Sequence, residues 1–558
     1  MSKAVIQPFE DYQKSRIMFV QTIAELARKK GDHIKSLKSF KVMDLLSPLL
    51  NDPVASIKQS AALAIGRLSK HDIELANKVV EDNGRIIKLL LESDTNNKFY
   101  KKSTCFIIAR VAHHGEKLAE TLVKYDVISF LVKCLEEYDP TVKEAAAWGL
   151  GYISKHSEKL ALKVVSEPNA IDYLILCLQE PEINIKKITI QTLTHIAKHS
   201  QDLTERINHK DNLSYILYFL VLKDYDLKAI ICNCLANMAN KSPVVASKII
   251  SDLQPKQLLE CIESENPNVK KNAITLINEI ASRDELSSIV NDKINADHFI
   301  KFLRDNRGSE RLYAIPLIST MAKHKQEIAK KFVDGGVLGP LLECLSTIKN
   351  KIDEKKENKK MGKKDIKKDT RNDGKKDPTS EFDDKAETLA CEAIAELSKH
   401  THEITNDIAS HKNLIPTLLY LAVTKELSDK LKKAATKALQ EIVMIGDKLK
   451  PLHDNDNILL MFLEKNESST VDDSNYEQIL VTVVRKIKEL LNSGHLDKSD
   501  KKDFLKDLSL KKIINLAKKY RVLDNEIPEF ENIYSPDIVN FYNDDYAKKL
   551  QDQYLSKL

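Results

Sequence analysis

Residues 139–157 read DPTVKEAAAWGLGYISKHS, and this stretch decides the fold because much of the chain repeats its pattern. Val142, Ala146, Leu150 and Ile153 follow one another at intervals of four, four and three residues, which places them on one face of an α-helix. The alanines between them keep that face thin, so a second helix can approach it closely. The segment therefore predicts a helix that buries one side against a neighbour.

The same four apolar slots recur along the chain, each time ahead of a residue that we call the register residue. The register residues are Lys29, His71, His114, His156, His199, Lys241, Arg283, His324 and His400. Successive ones are 41 to 43 residues apart except for the last interval of 76, which contains about 34 additional residues. A helical repeat of this period is typical of armadillo and HEAT solenoids, in which each unit must stack on its neighbours to bury its apolar face.

Each unit contains three predicted helices, which favours the armadillo form over the two-helix HEAT form. A polar residue followed by proline opens several of the long helices, since proline fits the first turn of a helix. These corners are Asp52-Pro53, Asp139-Pro140, Glu180-Pro181 and Asn266-Pro267. We therefore predict an all-α fold, an armadillo-repeat right-handed superhelical solenoid with a helical carboxy-terminal cap.

The predicted organisation has five parts. They are an amino-terminal helical cap or first repeat at 1–50, armadillo repeats at 51–348, a disordered lysine-rich insertion at 349–385, the last armadillo repeats at 386–450, and a carboxy-terminal helical cap and tail at 451–558. In the first part, Phe19, Ile23 and Leu26 are expected to fill the buried slots. The insertion holds 14 Lys and Arg against 10 Asp and Glu, which is +4 of the net charge of +5. It has almost no apolar residues with which to offset the entropy of ordering.

The composition suits a large soluble solenoid, with 42% apolar and 30% charged residues. No stretch approaches the ~20 apolar residues of a membrane span, and the amino terminus has no apolar signal region. We therefore expect a soluble intracellular protein with no cleaved targeting peptide and no membrane partner.

Seven of the eight cysteines recur at equivalent positions of the repeat, and only Cys234 lies outside them. Cys134, Cys177 and Cys261 lie 22 residues before a register residue, and Cys105, Cys232 and Cys391 lie nine before one. We interpret them as small buried apolar residues, because zinc sites need two ligand pairs at a characteristic spacing that is missing here.

The motifs of common enzyme classes are missing from the sequence. It contains no glycine-rich phosphate loop, no nucleophile elbow and no His-Glu-x-x-His. The recurrent histidines are a whole repeat apart, too far to share a metal ion. Lysine and arginine also occupy their slot, which is typical of helix carboxy termini, where cations interact with the helix dipole. We predict a non-enzymatic protein with no catalytic residues, metal ligands or cofactor.

Several segments resemble the sperm-associated antigen six family. They are FEDYQKSR near the start, AALAIGRLSKH, NKFYKKSTCFIIARVAHH, DPTVKEAAAWGLGYISKHSEKLA, CLQEPEINIKKI, and IPEFENIYSPDIVNFYNDDYAKKL near the end. The resemblance covers nearly all of the chain except the lysine-rich insertion, which the family pattern lacks.

The resemblance implies a scaffold of the central pair apparatus of motile cilia and flagella, located in the cytoplasm, the cytoskeleton and the axoneme. It implies that the chain binds tubulin on a central microtubule and neighbouring central-pair proteins, and supports central-pair integrity and motility. Contact with a second copy of the chain is left open, and no nucleic-acid partner is expected.

The alternative is an armadillo protein that binds peptide cargo, either a receptor similar to importin-alpha or a junctional or vacuolar adaptor. Importin-alpha receptors resemble one another in a ladder of Trp and Asn, one turn apart on successive long helices, which clamps basic peptides. The corresponding slots lie eight and four residues before the register residue, and no unit here has both residues. An adaptor of the vacuolar type lacks its acylation motif at the amino terminus.

If the long helices line the concave face, the slot four residues before the register residue faces a partner. Together with the single tryptophan, its residues are the candidate protein-binding groove: Arg67, Arg110, Trp148, Tyr152, His195, Asn237, Glu279 and Glu396. Basic residues come first and acidic residues last. We therefore expect the amino-terminal half of the groove to receive an acidic or extended peptide and the other half a basic one.

Overall fold

The computed structural model describes residues 3–29, 31–92, 97–306, 310–346, 378–411, 413–424, 427–445 and 473–492. Across these ranges the chain forms α-helices and short 3-10 helices and no β-strand, which confirms the predicted all-α class. It divides into two compact units, Met1–Arg283 and Asp284–Leu558.

The described part of the first unit contains 18 α-helices. They are α1 (Lys3–Leu26), α2 (Asp32–Ser39), α3 (Val42–Leu46), α4 (Ala55–His71), α5 (Ile73–Glu92), α6 (Lys98–His113), α7 (Glu116–Val123), α8 (Val127–Cys134), α9 (Pro140–Ser154), α10 (Glu158–Ser166), α11 (Ala170–Cys177), α12 (Ile183–Ala197), α13 (Gln201–Ile207), α14 (Asn212–Tyr218), α15 (Tyr225–Lys241), α16 (Pro243–Asp252), α17 (Pro255–Ile262) and α18 (Pro267–Ala281). Short 3-10 helices span Ser47–Asn51, His209–Asp211 and Phe219–Val221.

Four successive repeats between Glu116 and Ala281 each contain two short helices and one long helix, which agrees with the predicted three-helix unit. The preceding repeat follows the same plan, because α5 leaves helical geometry at residues 81–84. Gly84 has a φ of +69° at this break, a conformation that glycine adopts without steric cost. The chain therefore builds the three-helix armadillo unit.

Polar side chains and prolines set the start of the long helices. At α9 the Asp139 carboxylate accepts hydrogen bonds from the backbone N–H and the hydroxyl of Thr141 at 2.9 and 2.7 Å, and Pro140 occupies the first turn. Asn266 caps α18 in the same way ahead of its own proline. The Asp52-Pro53 and Glu180-Pro181 corners differ, because α4 begins only at residue 55 and α12 only at residue 183.

The apolar face of α9 is the core of its repeat. Val142, Ala146, Leu150 and Ile153 are all 0% exposed, as predicted, and α9 packs against both α6 and α12. Burial of a side chain the size of leucine contributes about 1.5–3 kcal/mol. The close approach to α12 needs Gly151, since a Cβ there would come within 2.6 Å of the Thr192 hydroxyl.

The buried face of α1 differs from the prediction. Phe19 is 38% exposed and Leu26 is half-buried, whereas Val20 is fully buried beside Ile23. Ala24 is also buried, so a small residue lies where α1 packs against α4. Docking onto α4 therefore turns the helix by about one residue from the face that the repeat alignment predicts, a rotation of roughly 100°.

Most register residues bridge neighbouring repeats through a hydrogen bond. Each side chain reaches a backbone carbonyl at or beside the carboxy-terminal end of the preceding long helix. The pairs with Nε2 are His71 with Ala27 (3.0 Å), His114 with Ser69 (2.5 Å), His156 with Ala112 (2.7 Å) and His199 with Ser154 (2.7 Å). Arg283 donates to the Ala239 carbonyl at 2.7 Å, and in the second unit His400 contacts the Ala322 carbonyl. We call these contacts the register ladder.

The register ladder refines the sequence interpretation of this slot. A carbonyl only accepts, so Nε2 of each histidine is the donor. The side chain therefore satisfies the carbonyl at the end of the preceding long helix, beyond any interaction with the dipole of its own helix.

The described part of the second unit contains ten α-helices. They are α19 (Asp284–Lys293), α20 (Ala296–Asp305), α21 (Arg311–His324), α22 (Gln326–Asp334), α23 (338–346), α24 (Pro378–Ser398), α25 (His402–Ser410), α26 (Leu414–Val423), α27 (Asp429–Ile445) and α28 (Asp473–Asn492). The long helices α21, α24, α27 and α28 pack in succession. Lys486 of α28 donates to the Met444 carbonyl on α27 at 2.9 Å, so the stacking continues past the last predicted repeat.

Two predicted segments lie largely outside the described residues. Of the lysine-rich insertion, 349–385, only the part from Pro378 is described, where α24 begins. Of the predicted cap and tail at 451–558, only α28 is described. The domain boundaries stay predictions.

All eight cysteines are free thiols and buried, which confirms the interpretation drawn from their spacing. Burial raises the pKa of Cys177 to about 12 and that of Cys234 to about 11. Within the described ranges, no helix is long and apolar enough to span a bilayer.

Candidate protein-binding strip

The predicted groove residues of the first unit lie on its long helices and form a first row. Beside them lies a second row of residues that was not predicted from the sequence. The second row lies one residue before the register residue, and so three residues after the first row on the same helix face. We call both rows the strip: Arg67 and Lys70, Arg110 and His113, Tyr152 and Lys155, His195 and Lys198, Asn237 and Asn240, and Glu279 and Ser282.

The strip is continuous, because the second row of one helix meets the first row of the next. The His113 ring of α6 packs edge-on against the Tyr152 ring of α9, with centroids 4.9 Å apart. Farther along, Asn240 of α15 donates through Nδ2 to the Glu279 carboxylate of α18 at 2.6 Å. Side chains from successive repeats therefore form one surface.

Arg110 is the cation of the strip that lies against aromatic rings. Its guanidinium carbon lies 4.8 Å from the ring centroids of both Phe106 and Trp148, and the Trp148 ring lies 6.0 Å from Tyr152. Phe106 itself packs on Gly66 of α4, where a Cβ would come within 2.6 Å of its ring. We call Phe106, Arg110 and Trp148 the arginine sandwich. Cation–π contacts of this kind hold the guanidinium in place without neutralising it.

Burial lowers the pKa of Arg110, but a guanidinium stays protonated at neutral pH. Its Nε atom is buried without a hydrogen-bond partner. Within the described part of the chain, Arg110 has no carboxylate at ion-pair distance. The sandwich therefore holds an uncompensated positive charge.

Two lysines extend this charge across the next two repeats. Lys198 donates through Nζ to the backbone carbonyl of Lys155 at 2.6 Å. Burial, followed by repulsion from Lys155, lowers the pKa of Lys198. Among the described residues neither lysine pairs with a carboxylate. Arg110 on α6, Lys155 directly after α9 and Lys198 directly after α12, which we call the cation row, thus provide one unpaired cation in each of three successive repeats.

The histidines of the strip add no charge at neutral pH. Burial, followed by Lys198 and Lys155, lowers the pKa of His195 to about 4. Burial and then Lys155 also lower the pKa of His113. Both rings are therefore neutral, and the positive charge of this region comes from the cation row.

The remaining predicted groove residues already have partners. Arg67 donates to the Ala24 carbonyl at 2.6 Å and lies 3.7 Å from Glu25. Asn237 donates to the Asn233 carbonyl of its own helix at 2.7 Å.

Glu279 accepts the hydrogen bond from Asn240, and Glu396, on α24 of the second unit, pairs with Lys399 at 2.6 Å. The structure therefore brings Arg110, Trp148 and Tyr152 into contact, whereas the two glutamates have partners of their own.

Sequence reasoning missed Phe106 as a partner of Arg110, and it missed Lys155 and Lys198. The signal was present in the repeat alignment, because the slot one before the register residue reads His113, Lys155 and Lys198 in three successive repeats. A search of that slot for cations would have found the two lysines.

Residues 116–155 match the family model described as armadillo/beta-catenin-like repeat. This range spans α7, α8 and α9, the repeat from which the fold was predicted. The fold is that of an armadillo-repeat protein. A crystal structure of an engineered protein has a similar fold, with a TM-score of 0.62 and 17% identity over 79% of this chain and 98% of its own.

The chain is also similar to sperm-associated antigen 6. The mouse (Mus musculus) protein is 47% identical over 102 residues, which is 18% of this chain and 20% of that protein. The human (Homo sapiens) protein is 44% identical over 101 residues, 18% of this chain and 19% of that protein. The aligned part spans about a fifth of these relatives. These matches confirm the resemblance inferred from the sequence over about a fifth of the chain.

Proposed function

We propose that this armadillo scaffold works in the central pair apparatus of motile cilia and flagella, located in the axoneme. There it binds a central microtubule and neighbouring axonemal proteins and maintains the central pair during motility. The observation that carries the proposal is the 47% identity with mouse sperm-associated antigen 6 over 102 residues.

The architecture supports a role in spacing and contact. Consecutive long helices are stacked through buried apolar faces and bridged by the register ladder, so a partner bound to one repeat is held at a defined distance from the next. The strip supplies a surface on which several repeats contact one partner. No chemical step is needed for this work.

Binding of a basic cargo peptide, as by importin-alpha, is disfavoured by the charge of the strip. The slots that would carry Trp and Asn hold Phe106 and Arg110 in one repeat, and Trp148 and Tyr152 in the next. The cation row lies on the same surface. A basic peptide placed there would meet like charge at each of three repeats.

The proposal is tested by locating a tagged full-length copy in a flagellated cell from which the native copy has been removed. We expect signal along the central pair and recovery of motility. Signal at the nuclear rim or throughout the cytosol, together with recovery of a basic cargo peptide, would refute the axonemal role in favour of the peptide-cargo alternative.

A further inference from the structure

We propose that the cation row, Arg110, Lys155 and Lys198, is the docking site for an extended acidic peptide that carries a carboxylate at about every third residue. The inference deepens the proposed function, because it names the chemistry of one partner of the scaffold. Its physical basis is charge, spacing and the arginine sandwich.

No carboxylate among the described residues forms an ion pair with a cation of the row. Lysines elsewhere in the unit are commonly paired, as Lys101 is with Glu137 at 2.5 Å and Lys187 with Asp224 at 2.9 Å. The cation row instead brings like charges together, since Lys198 is hydrogen-bonded to the backbone of Lys155. An arrangement that concentrates repulsion favours a bound anion.

The spacing of the row matches an extended chain. Arg110 lies on α6, and Lys155 and Lys198 directly follow α9 and α12; these three helices pack as consecutive neighbours. Packed helices are about 8–10 Å apart, and an extended chain in the polyproline II conformation rises about 3.1 Å per residue with three residues per turn. One repeat therefore corresponds to about one turn of such a peptide, and carboxylates at positions i, i+3 and i+6 lie on one face, toward the three cations.

The arginine sandwich prepares the first contact. Phe106 and Trp148 hold the Arg110 guanidinium on both sides, so little side-chain entropy is lost when a carboxylate binds. Gly66 allows this arrangement by leaving room for the Phe106 ring. The site is thus arranged before the peptide arrives.

A peptide fits these observations better than a nucleic acid. Single-stranded nucleic acids bind on aromatic faces that are free to stack with bases. The Trp148 ring is instead covered by the Arg110 guanidinium and lies beside Tyr152, and the Phe106 ring lies between Arg110 and Gly66. Carboxylates of a peptide need only the cations.

The strip also limits the peptide on its α15 side. Past α12 it continues with Asn237 and Asn240 and then Glu279, none of which offers a cation. At about three residues per repeat, the three cations accommodate roughly seven to nine residues. Lengthening an acidic peptide beyond this range toward α15 is expected to add little affinity.

The test measures binding of the full-length chain to a fluorescein-labelled nine-residue peptide with glutamate at every third position, by fluorescence anisotropy at low salt. The double variant Lys155→Glu, Lys198→Glu is expected to weaken binding about ten-fold or more, since both contacts become repulsive. The wild-type chain should bind a peptide with glutamine in place of glutamate about as weakly as the double variant binds the glutamate peptide.

The matched control is the double variant Lys133→Glu, Lys163→Glu. These two lysines are exposed on α8 and α10, away from the strip, and the control changes the net charge by the same amount. It should bind the acidic peptide like the wild-type chain. Unfolding of all three proteins, followed by Trp148 fluorescence, shows whether the strip variant keeps its fold.

Three results would overturn the inference. They are equal weakening in both double variants, equal binding of the glutamate and glutamine peptides, and tighter binding of a single-stranded oligouridine than of the acidic peptide. The proposed function is judged separately by localisation of the wild-type chain. Central-pair signal without peptide binding would refute only the docking site, and peptide binding without central-pair signal would refute only the axonemal role.

Discussion

The register ladder makes a quantitative prediction at His156. Its Nε2 donates to the Ala112 carbonyl at 2.7 Å and so bridges the repeats that contain α9 and α6. Changing His156→Ala removes the donor and leaves a partly buried carbonyl at a helix end. A net hydrogen bond contributes about 1 kcal/mol, and an unsatisfied buried group costs about 1–3 kcal/mol. We expect the free energy of unfolding to fall by about 1–2 kcal/mol.

The chain offers its own control for this change. Arg283 occupies the same slot and donates through Nη2 to the Ala239 carbonyl at 2.7 Å and to the Asn240 carbonyl at 3.0 Å. His156→Arg should therefore keep a donor at the Ala112 carbonyl and recover most of the lost stability. The comparison separates loss of the hydrogen bond from loss of the imidazole ring.

The assay is urea unfolding of the full-length chain followed by tryptophan fluorescence. Trp148 is the single tryptophan and lies on α9, so the signal reports the repeat that the substitution affects. With an m-value of about 2 kcal/mol per M, the midpoint should fall by roughly 0.5–1 M in His156→Ala. An unchanged midpoint in His156→Ala, or a midpoint in His156→Arg as low as that of the alanine variant, would refute the reasoning.

Four further outcomes are expected from the same unit. Leu150→Ala should lower the free energy of unfolding by about 2–5 kcal/mol in urea unfolding, since its fully buried side chain would leave a cavity. Gly66→Ala should cost about 1–3 kcal/mol and shift the Trp148 emission, because the new Cβ displaces Phe106 from the arginine sandwich; an unshifted spectrum would argue against this packing. Asp139→Ala should cost about 1 kcal/mol through loss of the helix cap, whereas Asp139→Asn should cost less. Folding lowers the pKa of His195 from 6.5 to about 4, so between these pH values the unfolded state binds a proton at this ring that the folded state does not bind. The stability that the neutral ring contributes is therefore complete above pH 6.5 and is lost as the pH falls toward 4, by roughly 3 kcal/mol at 1.36 kcal/mol per unit. His195→Asn should flatten the pH dependence of thermal unfolding across this window.

The helical repeat could be predicted because its signals are local. Val142, Ala146, Leu150 and Ile153 share one face through the geometry of a single helix, and the period of the register residues follows from counting along the chain. The cysteine burial and the proline corner of α9 follow in the same way. None of these features depends on knowing which helices meet.

The details of the strip depended on contacts between helices. Arg67 and Arg110 occupy the same slot, yet Arg67 pairs with the backbone and a carboxylate of α1 while Arg110 lies between two aromatic rings. Their difference comes from the neighbouring helix, which the slot pattern does not describe. The importance of Lys155 and Lys198 likewise comes from a contact between neighbouring repeats, in which the two lysines lie close together.

The sequence by itself determined the class of fold, the three-helix unit and the face that most long helices bury, because backbone geometry turns residue spacing directly into direction. The tertiary structure alone decided that the buried face of α1 starts at Val20 rather than Phe19, that the register histidines reach the preceding helix, and which cations stay unpaired. These depend on the distance and rotation between packed helices, where a shift of one residue moves a side chain by roughly 100° around the helix axis.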